Sequence, residues 1–125
     1  MRVLLVDDED MIRDLFSAIL IDAEYDVTCA SNGAEAVKIL QDKTFDLVIT
    51  DILMPEKEGV ETIMELKKKT PETRIIALSG GGRTKNFMPL KIAARAGADM
   101  TLQKPIEPDD LVKAVRKVMA RQPES

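Results

Sequence analysis

Four short apolar runs in this chain are each followed by residues that could bind phosphate or a metal ion. These residues are Asp7 and Asp8 after the first run, Asp51 after the second, Ser79 after the third and Lys104 after the fourth. If the runs are neighbouring parallel strands, these side chains meet at one edge of the sheet. Like charges about 4 Å apart repel by roughly 4 kcal/mol at an effective dielectric near 20. The cluster therefore requires a cation, or protonation of one acid.

The residue types narrow the chemistry of this edge. The chain has no histidine and one cysteine, so the available ligands are oxygens, which suit Mg²⁺ or Mn²⁺. Lys104 and the Ser79 hydroxyl could bind phosphoryl oxygens, and a carboxylate can form an aspartyl phosphate. Asp51 is the best candidate for the nucleophile because it follows the central strand of the expected sheet. The set predicts phosphoryl transfer, in which positioning and charge neutralisation do most of the catalysis.

The elements that must position these residues alternate between strand and helix. Short strands that are apolar on both faces are typical of a parallel sheet covered by helices on both sides. We therefore predict an α/β, flavodoxin-like, doubly wound fold of five strand–helix units, with strand order 2-1-3-4-5. The predicted strands are Val3–Val6, Asp26–Ala30, Asp46–Thr50, Arg74–Leu78 and Met100–Gln103.

Helix signals fill the intervals between the strands. Asn32 is a predicted N-cap with Glu35 in the capping-box position, and Pro108 fits the first turn of the last helix. A helix over Gly59–Lys69 should end before Pro71, and another should span Phe87–Ala96. The residues predicted to be buried by the first of these two helices are Val60, Ile63, Met64 and Leu66.

Length and composition limit the remaining possibilities. The 125 residues predict one domain over 1–121, with a tail over 122–125. A net charge of −4 and a pI near 4.9 disfavour nucleic-acid binding. The missing histidine excludes Ser-His-Asp catalysis, and the single cysteine excludes an internal disulfide. No signal peptide or membrane span is apparent, so we expect a cytoplasmic protein without membrane contact.

Five motifs together resemble one family, the receiver (response regulator) domains of two-component signalling, and most of all its single-domain, chemotaxis-type members. The resemblance covers essentially the whole chain, in family order. The motifs are Val6-Asp7-Asp8-Glu9, Asp51-Ile-Leu-Met54-Pro55 followed by Gly59, Ser79-Gly80, Gly97-Ala98-Asp99 and Lys104-Pro105.

The resemblance implies a role for each site residue. It implies that Asp51 accepts a phosphoryl group from a phosphohistidine on a sensor histidine kinase or phosphotransfer protein. Mg²⁺ would be held by Asp8 directly, by Asp7 partly through water, by Asp51, and by the backbone carbonyl of Leu53. Ser79 and Lys104 would bind the phosphoryl oxygens, and the Lys104–Pro105 peptide bond is often cis in the family. The phosphorylated domain would then signal to an output protein or domain that the sequence does not identify.

The chain departs from the family pattern in its signal readout. Thr101 stands three residues before the lysine, where the family usually has an aromatic residue. The loop that begins with Gly80-Gly81-Gly82 is longer than usual, and we expect the Phe87 region to replace part of the aromatic switch. In the family, the positions two after the phosphoacceptor and two after the hydroxyl residue flank the path of hydrolytic water. Here they are Leu53 and Gly81, which offer no group to orient water, and this predicts a long-lived phosphorylated form.

Two alternatives stay open at this point. One is a Mg²⁺-dependent phosphatase of the haloacid dehalogenase type, whose Asp-x-Asp start would be Asp8-Glu9-Asp10. The other is a degenerate receiver that acts only as a protein-binding module. In the leading hypothesis the domain catalyses its own phosphorylation and dephosphorylation and turns over no metabolite, either as a free-standing protein or as part of a longer one.

Overall fold

The structure is a computed structural model that describes residues 1–51, 58–79 and 97–120, with backbone only for 58–62. Strands and helices alternate along the chain, as the apolar pattern predicts. In chain order they are β1 (Arg2–Val6), α1 (Asp10–Asp22), β2 (Asp26–Ala30), α2 (Gly33–Asp42), β3 (Leu47–Asp51), α3 (Glu58–Lys69), β4 (Arg74–Ser79), β5 (Met100–Gln103) and α4 (Pro108–Ala120). The helix predicted over Phe87–Ala96 lies outside the described residues.

The five strands form one parallel sheet in the order β2-β1-β3-β4-β5, which confirms the predicted fold class. The strand order reverses at β1, which pairs with β2 on one side and β3 on the other. Val6, the last residue of β1, is the register partner of both Ala30 and Thr50. The next residues, Asp7 and Asp51, therefore leave neighbouring strands at the same edge of the sheet. This is the edge where open α/β sheets bind ligands.

Helices cover both faces of the sheet, because successive residues of a strand point to opposite faces. On one face Leu4, Val48 and Ile75 pack with Ala36 of α2 and Leu66 of α3. On the other face a second group packs with α1 and α4. That group includes Leu5, Ile49 and Ile76 from the sheet, Phe16 and Leu20 from α1, and Leu111, Val115 and Val118 from α4. All of these side chains are buried, so the aliphatic core holds the strand ends in register.

Two helix signals are confirmed, and one burial prediction is wrong. The side chain of Asn32 accepts a hydrogen bond from the Glu35 N–H at 2.8 Å, as an N-cap does. Pro108 is the first residue of α4. On α3, Ile63 and Leu66 are buried as predicted, but Met64 is 57% exposed. Met64 follows the inward-facing Ile63 directly, and adjacent helical residues point about 100° apart.

In the part of the chain that the structure describes, no helix is both long enough and apolar enough to cross a membrane.

Candidate functional site

Asp51 is the last residue of β3 and lies in the middle of the sheet edge. The predicted strand ended at Thr50, but Asp51 still pairs in register with Leu78 of β4. Its side chain is 4% exposed. The hydrogen-bonded ladder thus fixes the backbone of Asp51, and the flanking strands β1 and β4 bring other polar residues beside it.

Asp7 follows β1 directly and is held by contacts along its whole length. Its N–H donates to the Ala30 carbonyl at 3.2 Å. One carboxylate oxygen, Oδ1, accepts the Glu9 N–H at 2.9 Å, and the other, Oδ2, accepts from Lys104 Nζ at 2.6 Å. Asp7 is fully buried. Burial of a carboxylate is tolerated when it is paired and hydrogen-bonded in this way.

Lys104 joins the two buried acids. Its Nζ lies 2.6 Å from Asp7 Oδ2 and 3.0 Å from Asp51 Oδ2. Burial by itself lowers the pKa of Lys104, but the hydrogen bond to Asp7 and the charge of Asp51 outweigh it, and the pKa is raised. The ammonium is therefore charged throughout the neutral range. It is already placed where an anionic group on Asp51 would need a counter-charge.

The backbone of Lys104 is also held at this edge. Its N–H donates to the carbonyl oxygen of Ser79 at 2.7 Å. The Lys104–Pro105 peptide bond is cis, as the family resemblance implies. Ser79 is the last residue of β4, one residue longer than predicted, and is 2% exposed. The ends of β4 and β5 thus place a hydroxyl and an ammonium at the same edge as Asp51.

Four carboxylates converge beside Lys104. Oxygen atoms of Asp7, Asp8, Glu9 and Asp51 all lie within 4.8 Å of one another. Four carboxylates against one ammonium leave three negative charges in excess when all are ionised. Asp8 and Glu9 are exposed, whereas Asp7 and Asp51 are buried, so the cluster opens to solvent on one side. An all-oxygen set of this kind fits Mg²⁺ or Mn²⁺, because hard divalent cations prefer carboxylates and keep bound waters.

Comparisons with known proteins agree with this geometry. The sequence matches the family model of the response regulator receiver domain over residues 3–116. The chain belongs to this family. Receiver domains are the response-regulator modules of two-component systems, and they are signalling modules rather than metabolic enzymes.

Two relatives and one solved structure show how far the likeness extends. The receiver is 37% identical over 118 residues to the chemotaxis protein CheY of Thermotoga maritima, covering 94% of this chain and 96% of that protein. It is 32% identical over 120 residues to the transcriptional regulatory protein CpxR of Klebsiella pneumoniae, where the match covers 96% of this chain and 50% of that protein. A CheY-like receiver domain protein from Methanospirillum hungatei has a TM-score of 0.86 at 29% identity, with 94% and 92% of the two chains covered.

Most residues that the sequence singled out are brought together in the receiver. Asp7, Asp8 and Asp51 lie in the acidic cluster, and Lys104 contacts two of them. Ser79 lies at the same edge of the sheet. The proposed metal ligand Leu53 lies outside the described residues, as do Gly81 and Phe87.

Two further residues at the site were not assigned a role from the sequence. Glu9 completes the acidic cluster, and its signal was that it is the third acid in a row after β1. Arg13 donates to the Asp7 carbonyl oxygen at 2.6 Å. A basic residue near the N-terminus of a helix is unfavourable, because the helix dipole is positive there. The position of Arg13 in the first turns of α1 was therefore the sequence signal that it has another partner.

The arrangement disfavours the phosphatase alternative. That hypothesis needs Asp8 and Asp10 to act together on one substrate. Asp10 is instead the first residue of α1 and forms an ion pair with Arg13, while Asp8 lies in the cluster with Asp7 and Asp51. The acids that contact Lys104 are Asp7 and Asp51, and the phosphatase motif includes neither of them.

Proposed function

We propose that this receiver is a phosphoacceptor switch in which Asp51 accepts a phosphoryl group from a phosphohistidine. The donor would be a sensor histidine kinase or a phosphotransfer protein. The observation that carries the proposal is the position of Asp51, whose carboxylate contacts Lys104 at 3.0 Å and forms part of the acidic cluster. This position supports the proposal, because it brings one carboxylate together with a counter-charge and with other oxygens that could bind a metal ion.

Asp51 suits the role of nucleophile better than Asp7 does. Both acids are buried, but Asp7 is tied to its own loop, because one of its carboxylate oxygens accepts the Glu9 N–H and the other accepts from Lys104. These contacts fit an anchoring role. Asp51 lies at the end of the central strand, between the acids that follow β1 and the Ser79 hydroxyl at the end of β4.

In the transfer step, an Asp51 carboxylate oxygen attacks the phosphorus of the phosphohistidine. The new O–P bond forms as the N–P bond breaks, and the imidazole nitrogen keeps the electron pair of the broken bond. Lys104 then pairs with a phosphoryl oxygen in place of the Asp51 carboxylate, and the Ser79 hydroxyl donates to another. Hydrolysis then ends the signal: water attacks the phosphorus, the O–P bond to Asp51 breaks, and inorganic phosphate leaves with both protons of the water while the Asp51 carboxylate is restored.

The acidic cluster supplies the metal ligands in this proposal. Asp7, Asp8, Asp51 and the Leu53 carbonyl would hold Mg²⁺, with Mn²⁺ as a substitute. When bound, the cation neutralises the excess negative charge and draws electron density from the phosphoryl oxygens. Asp8 is exposed and can turn toward the cation, whereas Asp7 keeps its hydrogen bonds to Lys104 and the Glu9 N–H.

The output of the switch is a second protein or an attached domain. Residues 1–121 would form the receiver and residues 122–125 a tail. Thr101 on β5 stands where the family usually has an aromatic residue, and its register partner on β4, Ala77, is small as well. We therefore expect the signal to leave the site by another route, through the segment after Ser79. The sequence supports no direct binding of nucleic acid.

One experiment tests the core of this proposal. The protein is incubated with phosphoramidate, whose N–P bond resembles that of phosphohistidine, and with Mg²⁺, and its intact mass is measured. We expect one phosphoryl addition, which is lost without Mg²⁺ and lost in Asp51→Asn. Asp26→Asn, an exposed acid at the start of β2, is the matched control and should be phosphorylated like the wild type. An addition that persists in Asp51→Asn would contradict the assignment of the nucleophile.

A further inference from the structure

Arg13 lies in the first turns of α1, but its side chain turns back toward the acidic loop. Its Nη1 donates to the backbone carbonyl oxygen of Asp7 at 2.6 Å. Its Nη2 pairs with the carboxylate of Asp10, and its own N–H donates to the Glu9 carbonyl at 3.1 Å. The Arg13 side chain is 18% exposed, whereas that of Asp10 is 85% exposed. One largely buried side chain therefore ties the end of β1 to the start of α1.

With the contact from Arg13, every polar group of Asp7 has a hydrogen-bond partner. The Asp7 N–H is held by Ala30, its carboxylate by the Glu9 N–H and Lys104, and its carbonyl by Arg13. The side chain of Glu9, the N-cap of α1, makes no capping hydrogen bond to the helix. Arg13 therefore anchors, through the Asp7 carbonyl oxygen, the turn from which Asp8 and Glu9 project.

We propose that Arg13 is a positioning residue that fixes the Asp7 backbone and thereby the orientation of the Asp7–Glu9 acids toward a divalent cation. Its consequence for Mg²⁺ rests on the proposed function. Arg13 acts through the backbone of Asp7, because its Nη1 donates to the Asp7 carbonyl oxygen at 2.6 Å. Groups that orient metal ligands in this way typically change metal affinity by about 10- to 100-fold when they are removed.

The sign of the effect separates positioning from simple charge. A positive side chain near four carboxylates repels a divalent cation, so a role of charge alone predicts that Arg13→Gln binds Mg²⁺ more tightly. Positioning predicts the opposite, because the loop that carries Asp8 and Glu9 loses its anchor. A purely structural role predicts a change in the free energy of unfolding and no specific change in Mg²⁺ affinity.

The first measurement is Mg²⁺ binding to the full chain by isothermal titration calorimetry. We expect Arg13→Gln to weaken Mg²⁺ binding about tenfold. Asp10→Asn is the matched control, because it removes the ion pair with Arg13 and leaves the donation to the Asp7 carbonyl; its affinity should stay within about twofold of the wild type. Arg13→Lys keeps the charge and most of the packing, so it should also weaken Mg²⁺ binding, but by a smaller factor than Arg13→Gln. Wild-type or tighter binding in both Arg13 variants would overturn the proposal.

The second measurement needs no metal. The Glu9 N–H donates to Asp7 Oδ1, so its hydrogen exchange reports whether the loop is held. In metal-free protein, exchange of this amide should speed up at least about tenfold in Arg13→Gln and stay unchanged in Asp10→Asn. If the wild type failed to bind Mg²⁺ while Glu9 exchange still rose, the proposed function would fail and the positioning role would stand. Unchanged exchange together with unchanged Mg²⁺ affinity would remove Arg13 from the site and leave the phosphoacceptor function intact.

Discussion

Lys104 and Asp7 are 97 positions apart in the sequence, yet the ammonium of one lies 2.6 Å from the carboxylate of the other. The same ammonium lies 3.0 Å from Asp51, so one cation links the ends of β1 and β3 to the residue that follows β5. Both acids are buried, and neither carboxylate would be stable there without a counter-charge. Lys104 therefore contributes to folding as well as to the proposed chemistry.

Lys104→Met should destabilise the metal-free protein and increase the stabilisation that Mg²⁺ provides. Removing one partner of a buried ion pair costs about 3 kcal/mol, because the remaining charges stay buried without compensation. Mg²⁺ should recover part of this loss by neutralising Asp7 and Asp51, and should therefore stabilise the variant more than the wild type. Urea unfolding with and without Mg²⁺ measures both effects.

Lys38→Met is the control for this variant, since Lys38 is exposed on α2 and should change stability by less than about 0.5 kcal/mol. Equal stabilisation of Lys104→Met and the wild type by Mg²⁺ would argue that Lys104 and the cation do not share the same carboxylates.

The contribution of Lys104 to stability should disappear only in strong alkali. Its pKa is raised in the folded state, so the folded protein holds the proton more tightly than the unfolded chain does. The stabilisation is then fully present below the unfolded lysine pKa of about 10.4 and is lost as pH rises through the higher folded value. The difference in unfolding free energy between the wild type and Lys104→Met should be constant from about pH 7 to 9.5 and shrink above that range. A difference that already shrinks between these limits would show that another group titrates in its place.

Glu9→Gln should weaken Mg²⁺ binding without abolishing phosphorylation. Glu9 is exposed, and its carboxylate lies within 4.8 Å of the other three acids. It therefore attracts the cation through solvent and does not act as a buried ligand. We expect about a three- to tenfold rise in the Mg²⁺ dissociation constant at low salt. Because salt screens this attraction, the dissociation constants of Glu9→Gln and the wild type should become more similar near 1 M salt, where the Debye length is about 3 Å.

The matched control is Glu65→Gln, an exposed acid on α3, which should bind Mg²⁺ like the wild type. An affinity of Glu9→Gln equal to that of Glu65→Gln would exclude Glu9 from the cation site.

Gly97→Ala should destabilise the protein for two reasons, which are strain in the backbone at residue 97 and a clash with the side chain of Lys67. Gly97 has a φ of +125°, and a Cβ there would lie 2.6 Å from Cγ of Lys67. We expect a loss of about 1–3 kcal/mol in the free energy of unfolding, since L-residues are strained at such a φ. Lys67 also pairs with Asp99 at 3.1 Å, so the clash would disturb the contact between α3 and the segment before β5.

A double-mutant cycle with Lys67→Ala separates the two causes. Lys67→Ala removes the crowding but not the backbone strain, so the double variant should be less destabilised than the sum of the two single variants. Strict additivity would assign the whole effect to the backbone of Gly97.

Much of the fold could be predicted because its signals are local. The alternation of apolar runs and helical stripes needs only short windows of sequence, and it identified all five strands and the helices that the structure describes. Asn32 and Glu35 predicted the start of α2 from four residues. Strand ends were less certain, because Asp51 and Ser79 are polar and look like loop residues; their neighbours Leu78 and Gln103 keep them in the ladder.

The sequence by itself determined which groups could do chemistry and on which edge of a parallel sheet they would lie, because residue type and strand order suffice for that. Only the tertiary structure decided which atoms meet. It placed Lys104 between Asp7 and Asp51, added Glu9 to the cluster, and turned Arg13 back onto the Asp7 carbonyl. Such contacts depend on register, on side-chain rotamers and on the packing of α1 and β5 around the site. Those quantities are set by the whole core at once, and no short segment of the sequence contains them.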